Sequence, residues 1–381
     1  MAFNTLTNLI PDAYVALDVV SRELTGFLSS VTRDATADRV AEGQTVRSFI
    51  APSNSAAGDI TPSMVAATSA PQANQTIGNS AITIQKQRFA PFSWSGEQEY
   101  AVDQGPGFLN IRQAQIAQAI RTLVNEMEAQ VYDVAALEIS RSTGTAASTP
   151  FSSTFNVISD LKKILDDNGA PLTNRSLILD TTEGAALRKQ TTLTNVNQAG
   201  DSATLRDGEL LNLIGFSIKE SAQVSSIADS AVTGTKIDNG AGYVAGDTAL
   251  AIDAGSGAII AGDIVTIGSY DYGVATATTA LLTLNAPGLQ ETVADDATVT
   301  VIGDTVRLLG FSQDAICLAT RLPMSPLDGD LAVGREVVTD PRTGISLELV
   351  KWPGYDLNTY HVRVSYGVSV ISPEHVGAIL S

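Results

Sequence analysis

Residues 108–141 read FLNIRQAQIAQAIRTLVNEMEAQVYDVAALEISR, and within them Ile116, Ile120, Leu123, Met127, Val131 and Val134 recur at intervals of three and four. On a helix of 3.6 residues per turn that spacing keeps the apolar side chains on one stripe, so the segment is predicted as a single amphipathic helix closed by Thr143 and Gly144. At about 1.5 Å per residue it reaches about 50 Å. The stripe alone implies only packing into a core. The length, and the position after a long irregular segment, mark it as a spine on which other layers are built.

Working back from the spine, residues 44–104 carry two strand-like arms, Thr45–Ile50 and 81–94, around a stretch rich in Pro, Ala, Ser and Asn. This reads as a long hairpin without a core of its own, and a connection of that length points to an interaction element. Further back, Tyr14, Leu17, Val20 and Leu24 follow helical spacing after Pro11 and Asp12, which predicts an N-terminal arm helix.

Working forward, a helix is expected over 157–167, stopped by Asn168-Gly169 with Pro171 beyond, and then a short buried strand over 177–180. Residues 224–304 differ in composition, with ten acidic side chains and one basic one, Lys236, for a charge of −9 out of the chain's −18. Short apolar runs at 249–252, 263–267, 281–284 and 298–302 are separated by glycine-rich or proline-containing turns, as expected of an inserted small β-barrel or sandwich. Near the end Tyr360, Val362, Val364, Tyr366, Val368 and Val370 alternate with Thr359, His361, Arg363, Ser365, Gly367 and Ser369. A strict period of two predicts one long strand, buried on one face and exposed on the other. The turn signal at Asp340-Pro341-Arg342-Thr343-Gly344, followed by Ile345, Leu347 and Leu349, supplies its antiparallel partner.

Composition excludes several classes of function. A net charge of −18 on 381 residues, 17% of them charged, argues against a nucleic-acid-binding surface, which needs clustered Lys and Arg to displace counterions. Cys317 is the single cysteine, so the fold does not depend on an internal disulfide, and its neighbours Ala315, Ile316, Leu318 and Ala319 suggest a packed thiol. The first twenty residues contain Asp12 and Asp18 and no basic residue, unlike a secretory signal. The longest uncharged run, 60–85, contains Pro62, Pro71 and many polar residues and makes a poor membrane span. Cytoplasmic assembly is the expectation.

The sequence carries no recognisable chemical site. His361 and His375, the two histidines, form no ligand set with Cys317, and His361 is expected on the polar face of its strand. No G-x-S-x-G occurs, and the glycines at 240, 242 and 246 miss the dinucleotide spacing by one position with no helix pattern after them. Asp238, Asp247, Asp253 and Asp263 lie among glycines without completing a calcium loop, and read as turn residues on a solvated acidic surface. No catalytic residue, cofactor or metal is expected.

Several stretches together resemble the coat-protein family of tailed bacteriophages. They are Asn4-Thr5-Leu6-Thr7 through Ala16-Leu17, Ser21-Arg22-Glu23-Leu24, Val31-Thr32-Arg33-Asp34, Gly43-Gln44-Thr45-Val46, the run from Leu165 to Pro171, Gly262 to Ile267, Phe311 to Ile316, and Ala319 to Pro323. Each is short, and their order along nearly the whole chain supplies the specificity. The resemblance implies an α+β Hong Kong ninety-seven-like major capsid fold of the P-twenty-two type, with a long spine helix, an extended loop and an inserted all-β domain. It implies an N-terminal arm over 1–43, the extended loop over 44–104 reaching over an adjacent subunit, and the spine helix of a peripheral domain over 105–143. A peripheral and axial region over 144–223, the inserted domain over 224–304, an axial return over 305–334 and a peripheral long-stranded sheet with the C-terminus over 335–381 complete the chain.

The function implied is structural: hexamers and pentamers of an icosahedral head, assembled in the host cytoplasm with a scaffolding protein and a portal, enclosing double-stranded DNA without gripping it. Another virion component, from the tail or a decoration layer, is the alternative, since a β module alone suits either. Arg47, Lys86 and Arg88 are the basic residues of the hairpin in a strongly acidic chain, and are the candidate contacts to carboxylates of a neighbouring subunit. The acidic insertion is expected to project outward, because clustered carboxylates are costly to bury and are repelled by enclosed DNA.

Overall fold

The computed structural model describes residues 23–34, 43, 45–50, 78–103, 108–152, 154–190, 193, 212–253, 255–326, 329–340 and 342–381. Tyr14, Leu17 and Val20 of the predicted arm helix, and the middle of the hairpin over 51–77, lie outside the described residues, while Leu24, the last residue of that helical pattern, stands in irregular, exposed backbone. The chain begins with strands β1 (Thr32–Asp34), β2 (Thr45–Ile50), β3 (Gly78–Thr83) and β4 (Lys86–Ser95), followed by helices α1 (Gly96–Asp103) and α2 (Phe108–Leu137). Then come β5 (Arg141–Gly144), α3 (Asn156–Asp167), β6 (Arg175–Leu179), α4 (Thr181–Arg188), β7 (Ser217–Glu220) and β8 (Ser226–Ile227). The acidic segment, which begins with β8, also contributes β9 (Ala249–Ala251), β10 (Ile264–Ile267), β11 (Tyr270–Ala277), β12 (Leu281–Leu284) and β13 (Val299–Val301). The remainder is β14 (Thr305–Ser312), β15 (Ile316–Arg321), β16 (Gly334–Thr339), β17 (Ser346–Pro353), β18 (Leu357–Val370) and β19 (Val376–Leu380).

The spine helix α2 buries the expected stripe: Ile116, Ile120, Met127 and Val131 are fully covered and Leu123 nearly so, while Val134 is partly buried. Each fully buried aliphatic side chain of this size contributes about 1.5–3 kcal/mol. The stripe shares a core with Tyr360, Val362 and Val364 of β18 and with Phe311 of β14, so the helix bridges two sheets. It ends at Leu137, four residues before the predicted end at 141. The carbonyls that would continue it are taken by other groups: Ala136 O accepts from Arg307 Nη1 at 2.6 Å, Ile139 O from Asn285 Nδ2 at 2.8 Å and Ser140 O from the Gly273 N–H at 3.1 Å. Arg141 to Gly144 are thereby released into β5, parallel to β19 and antiparallel to β11. By contrast α3 stops where expected, with Gly169 at φ +72 and Ala170 N–H bonded to Leu165 O at 2.9 Å.

Two sheets result. A six-stranded sheet runs β1-β15-β18-β17-β16, with β4 also on β18. Asn358–Arg363 pair with both β17 and β4, which therefore lie on opposite edges of β18, and Ser365 and Tyr366 pair with both β4 and β15. The alternation holds, with Tyr360, Val362, Val364, Tyr366, Val368 and Val370 all buried. The other face was expected to be exposed but is covered along its second half, where β3 crosses it: Ser365 is fully buried, and a Cβ on Gly367 would stand 2.1 Å from the Thr83 carbonyl oxygen. Glycine is required there by this close approach. Ile82 and Ile84 pack at the crossing against Cys317 and Ala319.

The eleven-stranded sheet runs β13-β10-β11-β5-β19-β14-β6-β7, with β8, β9 and β12 attached. Its first part is the acidic segment, which has its own core of Ile237, Leu250, Ile252, Val265, Ile267, Tyr272, Val274, Leu282 and Leu284 among others. The segment is joined edge to edge with the rest through β11 and β5, where Tyr272 faces Arg141 and Asp271 faces Ser142. Of its turn aspartates, Asp247 accepts from the Val244 N–H at 2.9 Å in a local turn, but Asp263 is buried at 1% exposure instead of lying on the surface. It accepts from the N–H groups of Ile260 at 2.9 Å and Ser230 at 3.2 Å.

Candidate assembly surface

The hairpin predicted from 44–104 divides at Ile84-Gln85. Its first half, β2 and β3, is an isolated antiparallel pair with Thr45 opposite Thr83 and Ile50 opposite Gly78. A two-stranded ribbon without a sheet behind it is marginal in water. Only its base, at Ile82 and Ile84, is buried against the body among the described residues. The second half, β4, instead joins the body along ten residues of β18, Leu357 opposite Ser95 to Tyr366 opposite Lys86.

The three basic candidates separate accordingly. Arg47 stands on β2 opposite Ala81, and its side chain lies outside the description. Lys86 and Arg88 point from β4 to α2, where Lys86 Nζ bonds Gln130 Oε1 and Arg88 Nε meets Glu126 Oε1 at 2.6 Å. Gln130 and Glu126 are four residues apart on one helix face, matching alternate residues of the strand. The Arg88–Glu126 pair is about half and one third exposed. It is screened accordingly and worth about 0–1 kcal/mol. Tyr366 also reaches Glu126, at 3.3 Å, and burial first, then that carboxylate, pushes its hydroxyl well above the usual phenol range.

Between β4 and α2 lies an apolar recess of about 630 Å³, lined by Phe89, Phe92, Ile111, Ala114, Ala119 and Leu123 among others. Phe89 is 57% exposed and stacks on His361 at 4.6 Å, and His361 meets Trp352 edge-on at 4.6 Å. Burial, assisted by Arg363, lowers the His361 pKa. On the same face of the sheet Glu348 accepts from Arg335 Nη1 at 3.1 Å and Arg363 Nε at 2.7 Å, locking β16, β17 and β18 in register.

Two charged residues that hold the body together, Glu128 and Arg307, lie outside the expected contacts. Glu128, fully buried on α2, accepts three backbone hydrogen bonds from Gly26, Phe27 and Leu28. Burial pushes its carboxyl up while these N–H groups pull it back. Arg307, also fully buried, serves Ala136 O, Gly262 O at 2.7 Å and the Asp229 carboxylate. The available signal was a charge inside an apolar pattern: Glu128 falls between Val124 and Val131 on the stripe, and Arg307 between Val306 and Leu308. Among the described residues no group of three or more His, Cys, Asp or Glu is arranged to hold a metal ion.

No family model and no curated protein matches the chain. Among solved structures it is similar to the capsid of the cyanophage P-SCSP1u, at 13% identity over 95% of this chain and 89% of that one, with a TM-score of 0.51. The fold is that of a phage capsid protein. Similarity extends to a structure of Mycobacterium phage Che8, at 15% identity over 94% and 92% of the two chains with a TM-score of 0.49. A virus-like particle from Pyrococcus furiosus is matched at 10% identity over 98% of both chains with a TM-score of 0.40.

Proposed function

We propose that this chain is the major capsid protein of a tailed bacteriophage, a structural subunit with no catalytic role. The observation that carries the reading is the likeness to a phage capsid over 95% of the chain. In this reading the fold is the Hong Kong ninety-seven-like one, with α2 as spine, the six-stranded sheet in the peripheral domain, and the acidic segment as an inserted domain that projects outward. Copies associate into hexamers and pentamers of an icosahedral shell, with a scaffolding protein and a portal as assembly partners in the host cytoplasm and double-stranded DNA enclosed without specific binding. The marginal ribbon β2–β3 supports the self-association, because such an element gains stability by lying on a neighbour. Arg47, Lys86 and Arg88 are the candidate contacts to that neighbour. No described helix is long and apolar enough to cross a membrane.

Purified protein viewed by negative-stain microscopy, alone and with its scaffold, tests the proposal. Closed shells or hexameric and pentameric capsomers are expected. Monomers under all conditions, or tubes alone, would overturn it.

A further inference from the structure

Besides the β11–β5 seam, the chain enters and leaves the acidic module side by side, at a neck where β8 pairs with β14, and a buried ion pair sits there. Asp229, just after β8, is on the way into the module, and Asp304 and Arg307 are on the way out of it. The Arg307 guanidinium is 0% exposed and the Asp229 carboxylate 1%. Their contact is one-sided: Arg307 Nη2 bonds Asp229 Oδ1, whereas Asp229 Oδ2 and Arg307 Nε are both buried with no hydrogen-bond partner in the described structure. The other arm of the guanidinium is committed to Ala136 O and Gly262 O.

The charged and titratable groups facing Asp229 are Arg307 from β14, Asp304 from the turn before β14, and Asp263 from the turn before β10. Tyr132, from α2, faces Arg307. Asp304 is drawn in by the Asp229 N–H, which donates to its Oδ1 at 3.2 Å. Asp263 is held by Ser230 and Ile260. Arg307 thus pairs with Asp229 alone, while the buried Asp263 and the exposed Asp304 add negative charge beside that carboxylate, whose unpartnered oxygen offers a place where a proton would relieve both desolvation and repulsion.

We propose that the neck of the inserted module is a proton-sensitive latch, which holds the module to the end of the spine helix more firmly with Asp229 protonated than with it ionised. Burial, opposed by Arg307 and assisted by Asp263 and Asp304, raises the Asp229 carboxyl to about 6. A locally opened neck exposes the carboxylate to water and returns it to about 3.9. The closed neck therefore binds the proton more tightly, so its advantage is fully present below about 4 and is lost as the pH rises through about 6. Acid tightens the latch and neutral pH loosens it, opposite to the usual behaviour of a carboxylate in an ion pair.

Amide hydrogen exchange of the full chain, followed by mass spectrometry for residues 136–142 and 260–274 and corrected for the intrinsic pH dependence of exchange, tests this directly. Between pH 5 and pH 7.5 the opening of the wild type is expected to rise up to about tenfold, since the separation between the closed and open values of the carboxyl is only partly spanned by that range. Asp229→Asn, which cannot ionise, should remove this pH dependence. Parallel profiles for wild type and variant would overturn the proposal. Asp304→Asn covers the case in which the first variant fails to fold: it removes one repelling carboxylate and should move the midpoint to lower pH. An unchanged midpoint would also overturn the proposal.

Discussion

The side chain of Glu128 holds the backbone of Phe27, 101 residues earlier in the chain, at 2.8 Å. The same carboxylate takes the N–H groups of Gly26 at 2.6 Å and Leu28 at 2.9 Å, so the turn that precedes β1 is fixed to the middle of the spine helix. Glu23 adds a second tie, accepting from Arg121 Nη2 at 2.8 Å and Asn125 Nδ2 at 2.7 Å.

Truncation of that anchor is costly. Glu128→Ala leaves three buried donors without an acceptor, at about 1–3 kcal/mol for each unsatisfied group, so a loss of about 3 kcal/mol or more is expected. Glu128→Gln keeps one acceptor oxygen and should lose less. Denaturant melts of the unassembled subunit rank the three proteins, and an Ala variant within about 0.5 kcal/mol of wild type contradicts the role.

Arg307 is expected to be sensitive even to lysine. A single ammonium cannot reach Ala136 O, Gly262 O and Asp229 in the planar geometry of a guanidinium. Arg307→Met leaves a buried carboxylate and two carbonyls unpaired and should cost about 3–5 kcal/mol, with Arg307→Lys between it and wild type. Thermal melts read the order directly, and equal stability of the lysine variant rejects the clamp.

Gly367→Ala should lift β3 from the sheet, since the new Cβ cannot stay 2.1 Å from Thr83 O. Cys317 reports on it: the thiol is 4% exposed and burial raises it to about 11, so it reacts slowly with a disulfide reagent. Labelling at least about tenfold faster in the variant is expected. Gly303→Ala, where a Cβ meets nothing within 4 Å, is the control. Equal labelling in all three proteins would sink the prediction.

Replacing Arg47, Lys86 and Arg88 by Gln together separates assembly from folding. The exposed Arg88–Glu126 pair is worth about 0–1 kcal/mol within the subunit, so the melt should move little. Shell yield, and the dependence of shells on salt, should fall if these cations meet a neighbour. Unchanged yield and unchanged salt dependence would dismiss them as contacts.

His361 should titrate below the usual histidine range, because burial and Arg363 both oppose its charge. A depressed folded-state value means that its stabilising contribution is present above about 6.5 and is lost as the pH falls through the lower folded value. Its ring protons in NMR give the midpoint, and a midpoint at or above 6.5 contradicts the stacking environment between Phe89 and Trp352.

Elements whose signal is periodic and local were legible in the sequence. The stripe from Ile116 to Val131 specified α2, the alternation from Tyr360 to Val370 specified β18, and Asn168-Gly169 specified the end of α3, because neighbouring residues share a face and report on it together. Tyr270–Ala277 was not legible, since Asp271, Gly273 and the Thr/Ala mixture break the alternation that β11 satisfies only through its partners. Lys86 and Arg88 were legible as unusual cations, but not their partners on α2. Tertiary structure alone decided that α2 ends at Leu137, that the hairpin divides at Ile84-Gln85, and that Glu128 and Arg307 are buried. Each of these depends on a group more than thirty residues away, a carbonyl, a strand edge or a carboxylate. A buried charge or a broken helix is stable only once that distant partner has been brought to it.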